Sequence, residues 1–291
     1  MKHSTIWLPL QHSFLRTSNC CNAYQLNKWQ EVKAKHRVLI LNLMPMKEVT
    51  ECDFARTLYG CDVELQIVFI KIKGLKHKCT SDDYINQFYI DFDDISHLYF
   101  ERFIITGAPL EQIAFEDVTY WEQLQLIMHW SETHVERTLF VCWAAQAGLY
   151  EFFQIPKYPL PSKMFGVFKH EVRDKTSPLM RHLSNGFVMP NSRHTEIRRP
   201  DLERYESRGL RIIAESVESG VGIVSTFDCR QTFVVGHFEY EPYTLDNEYK
   251  RDVSKYLPIE PPRHYYDEQM NVQFSWDNDA IQFYKNWLIE T

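Results

Sequence analysis

The sequence predicts an α/β fold, a mostly parallel central sheet flanked by helices, on three observations. Short apolar runs and helix-periodic stretches alternate through the first half of the chain. The apolar runs are near-continuous in Val, Ile, Leu and Phe, as strands covered on both faces must be. One of them ends on a cysteine with a run of good helix formers directly behind it. Alternating strand and helix is the signature of a parallel sheet with crossover helices.

Taken in order, residues 38–43, 63–70, 102–106 and 138–141 read as buried strands. Between them, residues 118–133 place Tyr120, Leu124, Ile127 and Met128 at helical spacing. Residues 144–153 follow the fourth strand as a second helix. Residues 211–214, 222–225 and 232–235 read as strands joined by tight turns, Asp228-Cys229-Arg230 among them, that extend the sheet or pair with it antiparallel. Thr244, as an N-cap hydroxyl before acids in the first turn, then starts a helix running toward Tyr256. The proline-rich stretch 257–263 closes it. No linker, repeat or low-complexity tract divides the chain, so residues 1–291 read as one domain, with 1–37 an N-terminal extension packing on the core.

Composition narrows the function. A net charge of -7 argues against nucleic acid or an anionic membrane as partner. Seven cysteines, an odd number without a C-x-x-C pair or paired metal-ligand spacing, fit a reduced compartment, with no metal and no bound cofactor expected. No apolar run approaches the roughly 18 residues of a spanning helix, so a soluble, cytoplasmic protein is expected. A homodimer stays open.

Cys142 is the first candidate for chemistry. A residue held on a sharp strand-to-helix turn projects at the carboxyl edge of the sheet, where open α/β folds place ligands. The helix N-terminus behind it offers N–H groups and a positive dipole end to a thiolate or an oxyanion. This is the logic of the nucleophile elbow with Cys in place of Ser. A small buried thiol without chemistry reads the same way from this segment alone. The stretch from Gln231 to Tyr240 supplies a base, because His237 ends a strand and Glu239 follows two residues later. In an extended segment the two point the same way, so Glu239 can orient His237, while Gly236 lets the chain turn.

Seven segments carry a resemblance. They are Leu41 through Lys47, Ile105 through Glu111, Tyr120-Trp121, Cys142 through Ala147, Ser192 through Glu196, Gly236 through Tyr240, and Glu248 through Asp252. In this order the sequence resembles the MetA-type homoserine O-acyltransferases, which share the class I glutamine amidotransferase-like (flavodoxin-like) fold. The resemblance implies ping-pong acyl transfer. Cys142 would carry the acyl group as a thioester, and His237, oriented by Glu239, would deprotonate the acceptor hydroxyl. It implies an oxyanion site near the Trp143 N–H and the loop at Met46-Lys47. It also implies Arg251 for the amino acid's carboxylate, with Lys163 and Ser192 lining the substrate site. Glu111 matches acetyl-CoA users, and a carboxylate there repels the succinyl carboxylate. Acetyl-CoA is therefore the expected co-substrate and L-homoserine the expected acceptor.

The sequence departs from the family pattern at Asn191, Phe238, Met46 and Asp53, where His, Pro, Thr and Gln are usual. These changes are expected to cluster on the acceptor side. L-Serine, one methylene shorter, is therefore the alternative acceptor, since a methylene discriminates by only about 1–3 kcal/mol. Homoserine O-succinyl transfer and a glutamine amidotransferase rank below. The latter would use the same Cys-His-Glu set, but the chain offers no ammonia-accepting domain.

Overall fold

The computed structural model describes residues 6–17, 21–75 and 79–289. The strands are β1 (Ile6–Pro9), β2 (Cys21–Tyr24), β3 (His36–Leu41), β4 (Leu65–Lys71), β5 (Tyr89–Asp91), β6 (Phe100–Ile105) and β7 (Val135–Val141). They continue as β8 (Tyr158–Lys169), β9 (Glu171–Val172), β10 (Val188–Glu196), β11 (Leu210–Ser216), β12 (Gly220–Thr226) and β13 (Gln231–Val234). The main sheet runs β2-β1-β4-β3-β6-β7-β13-β12-β11-β9, with β5 beside β4. Pairings from β2 to β13 are parallel, and those among β13, β12, β11 and β9 are antiparallel. The expected parallel sheet is therefore present, extended antiparallel by the second half.

The strand composition has a direct cause. Val38 and Ile40 face one core and Leu39 and Leu41 the other. Leu139 and Val141 likewise oppose Phe140 across β7. Period-2 side chains buried on both faces leave no polar position, so the run reads as continuous. Burying each such side chain contributes about 1.5–3 kcal/mol.

Six helices matter here. They are α1 (Lys47–Gly60), α2 (Asp82–Phe88), α3 (Trp121–His134), α4 (Trp143–Phe153), α5 (Thr244–Ser254) and α6 (Asp277–Ile289). Helices α1 and α6 cover one face, while α3 and α4 cover the other. Tyr243 caps α5, without a side-chain bond, and Thr244 is already inside the helix, so the expected Thr244 cap is displaced by one residue. The described part of the N-terminal extension supplies β1 and β2, an edge of the main sheet. Apart from it, β8 and β10 form a two-stranded antiparallel sheet that carries Lys163 and Ser192. No helix among the described residues is long and apolar enough to cross a membrane.

Candidate active site

Cys142 sits between β7 and α4 with φ 53° and ψ -114°, outside the regions L-residues ordinarily occupy. Its N–H donates to the Val234 carbonyl at 2.7 Å, which ties the end of β7 to the end of β13. The strand–turn–helix elbow expected from the sequence is therefore formed, and strained backbone of this kind concentrates at functional sites. Gly107, just past β6, lies against the elbow. A Cβ there would sit 3.2 Å from the Cys142 Cβ and 3.7 Å from the Trp143 nitrogen. As the first residue of α4, Trp143 has no partner within the helix for its N–H.

His237 follows β13. Its N–H donates to the Pro190 carbonyl at 2.8 Å. The glycine before it lies in the bend that ends the strand, as expected, and it also allows a close approach, since a Cβ on Gly236 would lie 2.6 Å from that same carbonyl oxygen. The His237 Nδ1 and Glu239 Oε1 are 2.7 Å apart, both side chains buried. The pairing is made although the chain has already left the strand and turns here. An ionised carboxylate only accepts, so Nδ1 carries the proton and donates it, which leaves Nε2 for the cysteine sulfur. Burial alone would push the imidazole down, but the Cys142 sulfur and the Glu239 carboxylate outweigh it and hold His237 well above the ordinary histidine value. Tyr240 stacks on the imidazole, ring centroids 4.0 Å apart.

The sulfur and His237 open into a cavity of about 770 Å³, a size suited to a small-molecule site. Glu111 reaches the sulfur, its Oε1 4.0 Å from Sγ, while its Oε2 accepts the His194 N–H at 3.2 Å. Burial pushes its carboxyl up, against the pull of the His194 N–H. On the far wall, Lys163 donates to Glu248 at 2.8 Å and Asp252 at 3.1 Å, and Ser192 donates to Glu248 at 2.9 Å. Arg251 forks onto Glu248 at 3.3 Å and Asp252 at 2.6 Å, with its side chain 53% exposed. Cys142, His237, Glu111, Lys163, Ser192 and Arg251 thus border one cavity. Glu239 is buried behind His237.

Lys47 stands apart. It is buried, its Nζ bonded to the Asn42 carbonyl, and its neighbour Met46 borders the cavity instead. Burial pushes the Lys47 ammonium down to about 8, against the pull of Glu51. The four departures from the family pattern also separate. Met46 and Asp53 line the cavity. Asn191 is turned to the Met189 carbonyl and the Arg193 guanidinium, and Phe238 stacks on Phe283 in the core. The expectation that all four crowd the acceptor side is therefore corrected, because Asn191 and Phe238 are buried away from the cavity lining. Asp53 had no assigned role. Burial, with Glu239 and Glu241 nearby, raises its carboxyl well above the usual range. Tyr240 and His194 belong to motifs that carry the resemblance, so a signal for them existed, though in the motif rather than in any spacing.

Solved structures similar to this one share the fold. A glutamine amidotransferase from Thermotoga maritima matches with a TM-score of 0.56 at 12% identity, over 87% of this chain and 96% of that one. One from Methylobacillus flagellatus matches at 0.54 and 10%, over 87% and 94%. Much closer in sequence is the homoserine O-acetyltransferase of Parabacteroides distasonis, 46% identical over 87% of this chain and 82% of the relative. That of Desulfitobacterium hafniense is 44% identical over 89% and 87%. The family profile described as homoserine O-succinyltransferase matches residues 10–290. With nearly its whole length matched to that family around a strained cysteine and a buried His–Glu pair, the chain belongs to the homoserine O-succinyltransferase family.

Proposed function

We propose that this protein is a homoserine O-acetyltransferase that carries the acetyl group on Cys142. The carrying observation is the Cys142 elbow facing a His237–Glu239 pair bonded at 2.7 Å, at the floor of a cavity rimmed by Arg251 and Lys163. In the first half-reaction the Cys142 thiolate attacks the thioester carbonyl of acetyl-CoA. The tetrahedral oxyanion collapses, CoA leaves as its thiol with the proton from His237, and acetyl-Cys142 remains. The Trp143 N–H at the start of α4 is the oxyanion donor, aided by the positive end of the helix. In the second half, His237 takes the proton of the homoserine hydroxyl as its oxygen attacks the acetyl carbonyl. O-Acetylhomoserine departs and the thiolate returns.

The two halves demand opposite behaviour of His237, and the site supplies it. While the sulfur is anionic, the imidazole holds its proton. Once the sulfur is acylated its charge is gone, the imidazole loses one of two raising partners, and it becomes a base. Arg251 is the anchor for the acceptor's carboxylate, with Lys163 and Ser192 placing Glu248 beside it.

Acetyl is favoured over succinyl because Glu111 stands 4.0 Å from the sulfur. A succinyl chain would bring its own carboxylate there, at a cost in both charge and space. Homoserine is favoured over serine because the matched curated relatives are homoserine O-acetyltransferases and two of the four departures are core residues.

The test is turnover of purified protein with acetyl-CoA or succinyl-CoA against L-homoserine, L-serine and, separately, L-glutamine, read as CoA release, product mass and ammonia. Acetyl-CoA with homoserine is expected to dominate. Cys142→Ala is expected to lose on the order of a thousandfold or more. A preference for serine overturns the acceptor, glutaminase activity overturns the reaction class, and full activity in Cys142→Ala overturns the covalent step.

A further inference from the structure

The end of α5 is built in a way that folding does not explain. Its last turn closes with the Tyr256 N–H on the Val253 carbonyl at 2.9 Å and the Leu257 N–H on the Asp252 carbonyl at 3.1 Å. That wrap requires a left-handed residue after the cap, a place where glycine is the default. Here the residue is Tyr256, at φ 55° and 96% exposed. A large aromatic ring in open solvent on a disfavoured backbone gains nothing from the fold. Such an outlier points toward a ligand.

Its two neighbours point the same way. Lys255 and Leu257 both line the cavity that ends on Cys142, and so do the exposed apolar side chains of Met46, Val49 and Ile113. The other lysine and the arginine of the lining, Lys163 and Arg251, are each held by Glu248 and Asp252. Among the described residues Lys255 has no carboxylate partner. On a chain of net charge -7, an uncompensated cation at the mouth of the site is the local attraction a polyanionic substrate needs.

We propose that the Lys255-Tyr256-Leu257 turn holds the nucleotide end of the acyl-CoA donor. Lys255 pairs with its phosphates, Tyr256 stacks on its adenine, and Leu257, with Met46 and Ile113, borders the pantetheine arm on its way to Cys142. The assignment rests on the acyl-CoA reading above. It also makes sense of the helix end chosen, since the carbonyl end of α5 would repel phosphate unless a cation stood there.

The test compares two donors, acetyl-CoA and acetyl-pantetheine, which delivers the same thioester without phosphates or adenine. Both substituted positions are exposed, so Lys255→Glu and Tyr256→Gly are expected to fold. Lys255→Glu should raise KM for acetyl-CoA about tenfold, by losing an ion pair and adding a repulsion, and flatten its rise with ionic strength. Tyr256→Gly should raise the same KM about fivefold or more, the loss of one base–aromatic stack. With acetyl-pantetheine neither variant should differ from the parent, because the groups they would hold are missing. Equal changes with both donors, or no change with acetyl-CoA, overturn the proposal and leave Lys255 as a cation that merely complements the helix end. A parent protein that turns over neither donor is a different failure, because it removes the acyl-transfer reading itself.

Discussion

The sulfur of Cys142 and the imidazole of His237 set each other's charge, and this coupling gives the sharpest residue-level prediction. The proton on His237 is favoured by Glu239 at 2.7 Å and by the cysteine opposite, against the cost of burial. Cys142→Ser keeps the shape but replaces an ionisable sulfur with a neutral hydroxyl. One raising partner is then lost while the burial that lowers the value is kept, so the titration of His237 must move to lower pH. NMR titration of labelled histidines in parent and variant measures this directly, and an unchanged midpoint would sink the two-state account of the base. At this scale Cys142, His237 and Glu239 were legible because each lies on or just beyond a strand end, which a pattern of apolar runs locates. Asp53, Tyr240 and Gly107 reach the cavity through tertiary contact, which spacing does not report. The close approach at Gly236 went unread for the same reason, since the crowding oxygen belongs to Pro190, far away in sequence.

Gly236 links the residue to its elements. It is where β10 passes close enough to the segment after β13 for the His237 N–H to bond the Pro190 carbonyl. In Gly236→Ala the new methyl would meet that oxygen at 2.6 Å and the Met189 side chain at 2.9 Å. The two segments must part, at a cost of about 1–3 kcal/mol. Urea unfolding should report that loss, and kcat should fall as well, since the parting displaces the base. Unaltered kcat in a destabilised variant would mean that β10 does not position His237. Elements were legible in proportion to how apolar their buried side is. In the main sheet β3, β4, β6, β7, β11, β12 and β13 showed plainly, whereas the short strands β1, β2, β5 and β9 did not. Helix α1 did not, because its buried face carries Lys47, Thr50, Glu51, Asp53 and Thr57, which breaks the apolar period, and no side chain caps it. Strands β8 and β10 were missed likewise, β8 because two thirds of its length is exposed or intermediate and it holds two prolines.

Over the whole molecule, the question is what the first two dozen residues contribute. Strand β1 lies between β2 and β4, so this segment completes one edge of the sheet. His12 also enters the interior, its Nε2 3.1 Å from the carboxylate of Glu51, both side chains fully buried. Glu51 in turn accepts from Tyr84 and Tyr89, and Asn42 donates to Tyr89 at 3.1 Å and to the Lys47 carbonyl at 3.2 Å. The segment between Asn42 and Lys47 carries Met44, Pro45 and Met46, which border the cavity. A path of buried polar contacts therefore runs from the N-terminal strand to the wall of the site, and the chain should unfold as one cooperative unit. His12→Ala leaves a buried carboxylate short of a partner, which costs about 1–3 kcal/mol. Removing residues 1–24 adds an open edge on β4 to that loss, an invitation to aggregation. Calorimetry on the parent should show a single transition, His12→Ala should lower it, and the truncated chain should fail to give a soluble folded protein. A truncated chain that melts where the parent does, with turnover intact, would instead make the N-terminal segment an appendage, because neither the sheet edge nor Glu51 would then depend on it.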